Sequence, residues 1–275
     1  MKIDIIKYIE NFVNFNYPKK YNFSYRTQKY SLSTIISELF YMLKSGVSYR
    51  DYRGPIKRST LYFHLKFFRD NEIFQKIYIS LLLIYFKKNK MGKLKYQIID
   101  SSFIQNINGI DCIGRNKYFK NKKGTKISFI IDDKKIPISI VLDKGNVNDG
   151  QFIEKHLQNM LIDTNTKKFV NNNRYKQYFL GDKGYDSQKI RNILSEKGYI
   201  PLIDYNKRNT RDPKKIKKLN KKDKIKYKKR IKVENIFCYL KKNKRIRLRE
   251  EKYCKSYLSF IYMGLIKFLL NKIVD

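Results

Sequence analysis

The stretch "QYFLGDKGYDSQKIRNILSEKGYIPLIDY", residues 177–205, decides how the rest of the chain is read. An apolar run over 177–182 ends in Gly181-Asp182 and turns sharply. A helical pattern fills 187–198, Gly198 stops it, and a second apolar run occupies 199–205. Strand, helix, strand is the unit from which helix-covered sheets are built. The acid is what needs explaining. Asp182 closes an apolar strand in a chain with 62 Lys and Arg against 24 Asp and Glu. It is either the cap of a tight turn or a ligand for a metal ion at the strand's mouth.

Working outward, "YQIIDSSFIQ" (96–105) is a short apolar run that reads as a strand ended by Asp100. Residues 125–132 and 135–145 alternate around Asp132-Asp133 as a hairpin would, and a polar helix over 149–161 follows. A lysine-rich bridge covers 206–230, and helices complete the chain. Three strands, helix, strand, helix, strand, helix predicts an α/β domain over 96–275, a mixed sheet with helices on its faces. Residues 1–95 read as helical. Apolar residues at 32, 35, 36, 39, 40 and 43 keep a helical spacing, and Gly46 ends that helix. A turn at Gly54-Pro55 leads to a second helix, with Ser59-Thr60 as its cap, carrying Arg58, Lys66 and Arg69. Helix, turn, basic helix is the order of a helix-turn-helix DNA reader. The polar segment 87–95 marks the boundary.

Composition narrows the function. Apolar residues at 42% and aromatics at 15% exclude a disordered chain. A net charge of +38 asks for an anionic partner, and nucleic acid is the commonest. An AT-rich coding sequence would supply the same Lys, Ile, Asn and Tyr, so charge alone assigns nothing. Cys112, Cys238 and Cys254 form no Cys-x-x-Cys pair, which argues against a disulfide framework or zinc ribbon and for an intracellular setting. The N-terminus breaks its apolar residues with charges, unlike a signal peptide. The apolar runs 77–86 and 257–266 are too short to span a bilayer and read as core helices, so no membrane partner is expected. Two histidines remain: His64 as a packing or DNA-facing residue, His156 on the surface of a polar helix. Carboxylates must carry any chemistry. Asp186 is read as the cap of the helix that follows it.

A third acid joins Asp100 and Asp182 when "YKKRIKVENIFCYLK" (227–241) is wound as a helix. Tyr227, Arg230, Glu234 and Lys241 fall within roughly a 60° arc of one face. Val233, Ile236, Phe237 and Leu240 form the adjoining apolar stripe.

With these residues in view the chain resembles the DDE-class transposases of insertion sequences, in the group marked by Tyr-x2-Arg-x3-Glu-x6-Lys. Tyr227, Arg230, Glu234 and Lys241 keep that spacing without a gap. "GDKGYDS" around Asp182 and "IIDSS" around Asp100 match the family's two aspartate motifs. "CIGRNKYFKNKKGTKIS" (112–128), with Arg115 and Lys126, and "KGNVNDG" (144–150) resemble the segments between them. Asn148 stands where many relatives have His, Asn235 where Arg is common, and Tyr49 where Trp is usual. The resemblance implies an RNase H-like fold behind a helical, helix-turn-helix-like N-terminal domain. It implies Asp100, Asp182 and Glu234 as catalytic acids holding two Mg²⁺ ions, with Mn²⁺ able to substitute. It further implies double-stranded DNA as partner, both the element's terminal inverted repeats and the target, bound by a dimer. The DNA contacts would be Tyr227, Arg230, Lys241, Arg58, Lys66, Arg69, Arg115 and Lys126. A nuclease on the same scaffold that does not join strands, and a non-catalytic DNA-binding derivative, are the alternatives.

Overall fold

The computed structural model describes residues 4–18, 29–89, 94–162, 176–206 and 218–274. Among them the helices α1 (Ile5–Asn16), α2 (Leu32–Ser45), α3 (Arg58–Asp70) and α4 (Ile73–Lys88) come first. The strands β1 (Tyr96–Asn106), β2 (Gly114–Asn116), β3 (Lys122–Asp132) and β4 (Pro137–Lys144) follow, then α5 (Phe152–Gln158). Next are β5 (Gln177–Gly181), α6 (Gln188–Glu196) and β6 (Tyr199–Ile203). The chain closes with α7 (Lys221–Tyr227), α8 (Lys232–Lys241), α9 (Lys244–Arg247), β7 (Leu248–Arg249) and α10 (Cys254–Val274).

Two compact units emerge, and they do not divide at a single point in the sequence. The first gathers residues 1–89, 105–111 and 240–275, so the C-terminal helices pack with the N-terminal ones. α4 and α10, the helices that contain the two most apolar runs, lie against each other there, burying Ile77, Leu81, Phe260 and Ile266. α10 is buried along most of its length, whereas α4 keeps one side, with Leu83 and Ile84, exposed. Gly46 ends α2 at φ 73°, a left-handed conformation that costs glycine little. The connection to α3, residues 46–57, is longer than the three- or four-residue turn of a compact helix-turn-helix. α3 begins at Arg58 with Lys57 at the cap position and no side-chain cap, so Ser59-Thr60 fall inside the helix rather than at its start.

The second unit, residues 90–104 and 112–239, holds the sheet. Its order is β4-β3-β1-β5-β6, with β2 pairing the first residues of β3. β3 and β4 form the expected antiparallel hairpin, while β1, β5 and β6 run parallel. This is an RNase H-like mixed sheet with flanking helices, as the sequence implied. All five residues of β5 are buried, as a central parallel strand covered on both faces requires.

Three sequence expectations change here. β1 does not stop at Asp100 but runs on to Asn106, because Ser101 and Ser102 continue the pleat after the apolar residues end. The helix expected over 227–241 is broken: α7 ends at Tyr227, a 3₁₀ turn spans Lys228–Ile231, and α8 begins at Lys232. Lys226, Lys228, Lys229 and Arg230 crowd like charges at the joint, which disfavours a regular α-turn there. Part of the lysine-rich bridge is helical, since α7 occupies 221–227 with Asn220 as its cap, its side chain accepting from the Asp223 amide at 2.8 Å. Residues 207–217 of that bridge lie outside the described ones. The apolar stripe of α8 is buried as expected, and Phe237 meets Phe129 of β3 with ring centroids 5.2 Å apart. Each such side chain contributes about 1.5–3 kcal/mol, enough to fix which face of α8 turns outward.

Candidate active site

The parallel pairing of β1 with β5 aligns Tyr96 with Tyr178, Gln97 with Phe179 and Ile98 with Leu180. Two residues further along each chain stand Asp100 and Asp182. Adjacent strands lie about 4.8 Å apart, so the two acids share one level of the sheet. Asp182 leaves β5 as the N-cap of a 3₁₀ turn, Lys183–Tyr185, and its Oδ1 accepts the Gly184 amide at 2.8 Å. Asp100 accepts the amide of Ser101 at 2.8 Å. The capping half of the opening alternative is thus met, through one oxygen of Asp182.

The electrostatics show what meets there. The Asp100 carboxyl is pushed up to about 6, first by burial; Asp182 and Asp149 push it further, while the Ser101 amide and Arg230 oppose them. Tyr185, fully buried beside the acids, has its phenol driven well above the ordinary range by burial and then by Asp149, Asp100 and Asp182. Three carboxylates thus act on one buried ring.

Glu234 stands beside Arg230, whose guanidinium opposes the rise of Asp100. The Arg230 Nη1 lies 3.8 Å from Glu234 Oε1, and its guanidinium sits 5.9 Å from the Tyr227 ring centroid. Tyr227 feels Asp182 and Asp204 as well as Arg230, though burial is the main cause of its raised phenol. Arg230 and Tyr227 therefore act on the two aspartates despite the 3₁₀ turn, and Glu234 stands beside Arg230. Lys241, the last residue of α8, belongs to the first unit.

Asp149 is the acid that sequence reasoning did not single out. Ser101 Oγ donates to its Oδ1 at 2.6 Å and Lys126 Nζ at 2.8 Å. Its signal was present, since it ends the "KGNVND" segment already aligned with the family. Lys126 also donates to the Val147 carbonyl at 2.8 Å, so its ammonium faces the site rather than solvent. Arg115 is exposed. Within the first unit, Arg58 and Lys66 are exposed on α3, whereas Arg69 pairs with Asp70 at 2.7 Å and is largely covered.

Two neighbouring readings are corrected. Asp186 does not cap α6; Ser187 does, accepting from the Ile190 amide at 3.1 Å. The Asp186 carboxylate instead pairs with Arg191 at 2.7 Å and accepts the Asn206 amide at 2.9 Å. His156 is not on the surface but fully buried, its ring nitrogens 2.8 Å from Ser139 Oγ and Ser128 Oγ. The β4-facing side of α5, short as it is, is the inner side. Ser128 in turn donates to the Asp100 carbonyl at 3.0 Å, so this histidine supports the strand that carries the first acid.

Asp100 and Asp182 stand level on neighbouring parallel strands of an RNase H-like sheet, and Asp149 acts on Asp100. The transposase DDE domain family matches residues 93–263, more than half of the chain, and the chain belongs to that family. It is a transposase-class enzyme, and the family works with divalent metal. No curated protein sequence matches the chain. Among solved structures it is similar to the catalytic domain of Mos1 mariner transposase, at 14% identity and TM-score 0.32, covering 73% of this chain and 91% of that one. A piggyBac transposase synaptic complex with hairpin DNA matches at 13% identity and TM-score 0.43, over 100% of this chain and 80% of that one. The Mos1 paired-end complex with Mn matches at 10% identity and TM-score 0.29, over 89% and 80%. No helix among the described residues is long and apolar enough to cross a membrane.

Proposed function

We propose that Asp100, Asp182 and Glu234 form the centre at which this transposase cuts DNA at the ends of an element and joins the freed 3′-OH to target DNA. The observation that carries the reading is the level placement of Asp100 and Asp182 on neighbouring parallel strands, with the Asp100 carboxyl raised by burial and by its fellow acids. Half-buried carboxylates at one level of the sheet, with one guanidinium nearby, suit a divalent cation. The donors are all hard oxygens, which favours hard cations such as Mg²⁺ or Mn²⁺. Two such ions, when bound, supply an activated water and relieve charge on the phosphoryl oxygens.

The chain's own residues do the rest. Asp100 and Asp182 each present a carboxylate at the mouth, and Glu234 closes it from α8. Arg230 opposes the rise of Asp100 and stands where a phosphate oxygen would replace Glu234 as its second partner. Tyr227 sits beside Asp182 as a wall for the strand being cut. In the first step water adds to phosphorus and the bond to the 3′ oxygen breaks, leaving a 5′ phosphate and a 3′-OH. In the second that 3′-OH adds to a target phosphodiester and expels its 3′ oxygen. Arg58 and Lys66, exposed on α3, grip the duplex of the terminal repeats, and two copies hold two ends.

The test is an excision assay with a marker flanked by the DNA that borders the gene, with Mg²⁺, comparing wild type with Asp182→Asn. Excision and a joined product from wild type alone support the reading. Nicking without joining would make the enzyme a hydrolytic nuclease, and equal excision by the variant would remove Asp182 from the site.

A further inference from the structure

Between β2 and β3 the chain makes a short knuckle, Lys117–Phe119 in 3₁₀ form, that the proposed chemistry does not use. Tyr118 is 86% exposed and Phe119 51% exposed, the first among the most exposed large side chains of the second unit.

The knuckle is built, not loose. Phe119 stacks on Phe103 of β1, with ring centroids 4.8 Å apart and planes 17° from parallel. Buried Asn116 donates to the Gly145 carbonyl at 2.8 Å, and its own oxygen accepts the Tyr118 amide at 2.9 Å. Lys120 and Asn121 both sit at positive φ, 50° and 56°, a conformation that side chains resist unless the surroundings impose it. Tyr118 is therefore held outward on a rigid base. Phe103, which carries the stack, lies three residues beyond Asp100, about 10 Å along the same strand.

The charge around the rings is of one sign. Arg115, Lys117, Lys120, Lys122 and Lys123 are all exposed, and no acid occurs between residues 112 and 131. Cations that can track phosphates, set around a rigid exposed ring, are the elements of a single-strand stacking platform. The rings of a paired duplex are already stacked, so only an unpaired base can use such a ring. We propose that Tyr118 stacks on an unpaired base of the DNA strand next to the cleavage centre, with the surrounding cations on its phosphates. This deepens the reading of the site as a DNA-cutting centre and rests on it.

The experiment compares wild type, Tyr118→Ala and Tyr118→Phe on a blunt duplex and on the same duplex with a single-stranded flank carrying 2-aminopurine. Wild type should quench the probe on binding the flanked duplex. Tyr118→Ala should lose the quench and at least about fivefold in affinity for that probe, while Tyr118→Phe keeps both. All three should bind the blunt duplex alike. Tyr118→Ala that quenches and binds as wild type would overturn the proposal, and so would an equal loss on both duplexes. A change in oligomeric state by sedimentation, with DNA binding unaltered, would overturn it in favour of a contact between copies. Wild type that binds neither duplex would sink the reading of the site itself, and this proposal with it.

Discussion

Lys126 donates to the Asp149 carboxylate at 2.8 Å, and this pairing turns a side chain that the sequence assigned to DNA inward. Only 13% of the Lys126 side chain is exposed, against 33% for Asp149. With the lysine gone, Asp149 would add its charge to Asp100 uncompensated. Lys126→Met is expected to lower cleavage tenfold or more, and stability by about 1–2 kcal/mol once part exposure is allowed for. Duplex affinity should stay within about twofold of wild type. A mobility-shift salt series decides: a uniform loss of affinity with the salt slope reduced by about one would restore Lys126 as a phosphate contact.

Asp182 and Asp186 share one motif and divide its labour. Asp186 and Arg191 are each 11% exposed, and the carboxylate also holds the Asn206 amide. Asp186→Asn is expected to cost about 1.5–3 kcal/mol, the range for hydrogen bonds to charged groups, and to lower Tm by several degrees. Asp182→Asn keeps an oxygen for the Gly184 amide, so it should abolish cleavage with little change in Tm. Thermal melts run beside cleavage assays separate the two. A melting loss for Asp182→Asn equal to that for Asp186→Asn would mean the motif is structural throughout.

Much of this was legible in the sequence, and the failures share a cause. The hairpin at Asp132-Asp133, the strand-helix-strand of 177–205 and the apolar stripe of α8 rest on local periodicity, and each is found in place. Asp100 and Asp182 could be set facing each other because parallel neighbours keep their register. What periodicity cannot see is partner choice at long range. His156 follows Glu154 and Lys155 and reads as polar surface, yet Ser128 and Ser139, distant in sequence, satisfy both its nitrogens. Asp149 read only as the first residue of a polar helix, because its partners, Ser101 and Lys126, come from two other strands. The C-terminal helices carry no sequence mark of the unit they join, since any apolar helix of that length could pack on either.

Arg230 is poised between Glu234 and Asp100, and its role can be separated from folding. Arg230→Gln should reduce cleavage by about 10²–10³, the usual effect of removing a preorganised donor from a charge-developing site. Duplex affinity should fall less than about fivefold. Arg230→Lys should recover only part of the activity, because an ammonium cannot hold two oxygens in one plane. Single-turnover cleavage at saturating enzyme gives the answer. A deficit that vanishes at saturation would place Arg230 in ground-state DNA binding alone.

His156 provides a pH test that does not depend on the chemistry of the acids. Burial lowers its imidazole from the ordinary 6.5 to about 3, so it is neutral in the folded protein. Between those values the unfolded chain binds a proton that the folded chain refuses, and protonation draws the equilibrium toward unfolding. The stability contributed by the neutral, hydrogen-bonded ring is therefore complete above 6.5 and falls as pH drops, by roughly 1.4 kcal/mol per unit down to the folded value. Urea unfolding of wild type and His156→Asn at pH 7.5, 6 and 5 should show the wild-type advantage shrinking steadily with acid. An advantage constant across that range would mean the ring is protonated equally in both states, and that Ser128 and Ser139 hold it by packing alone.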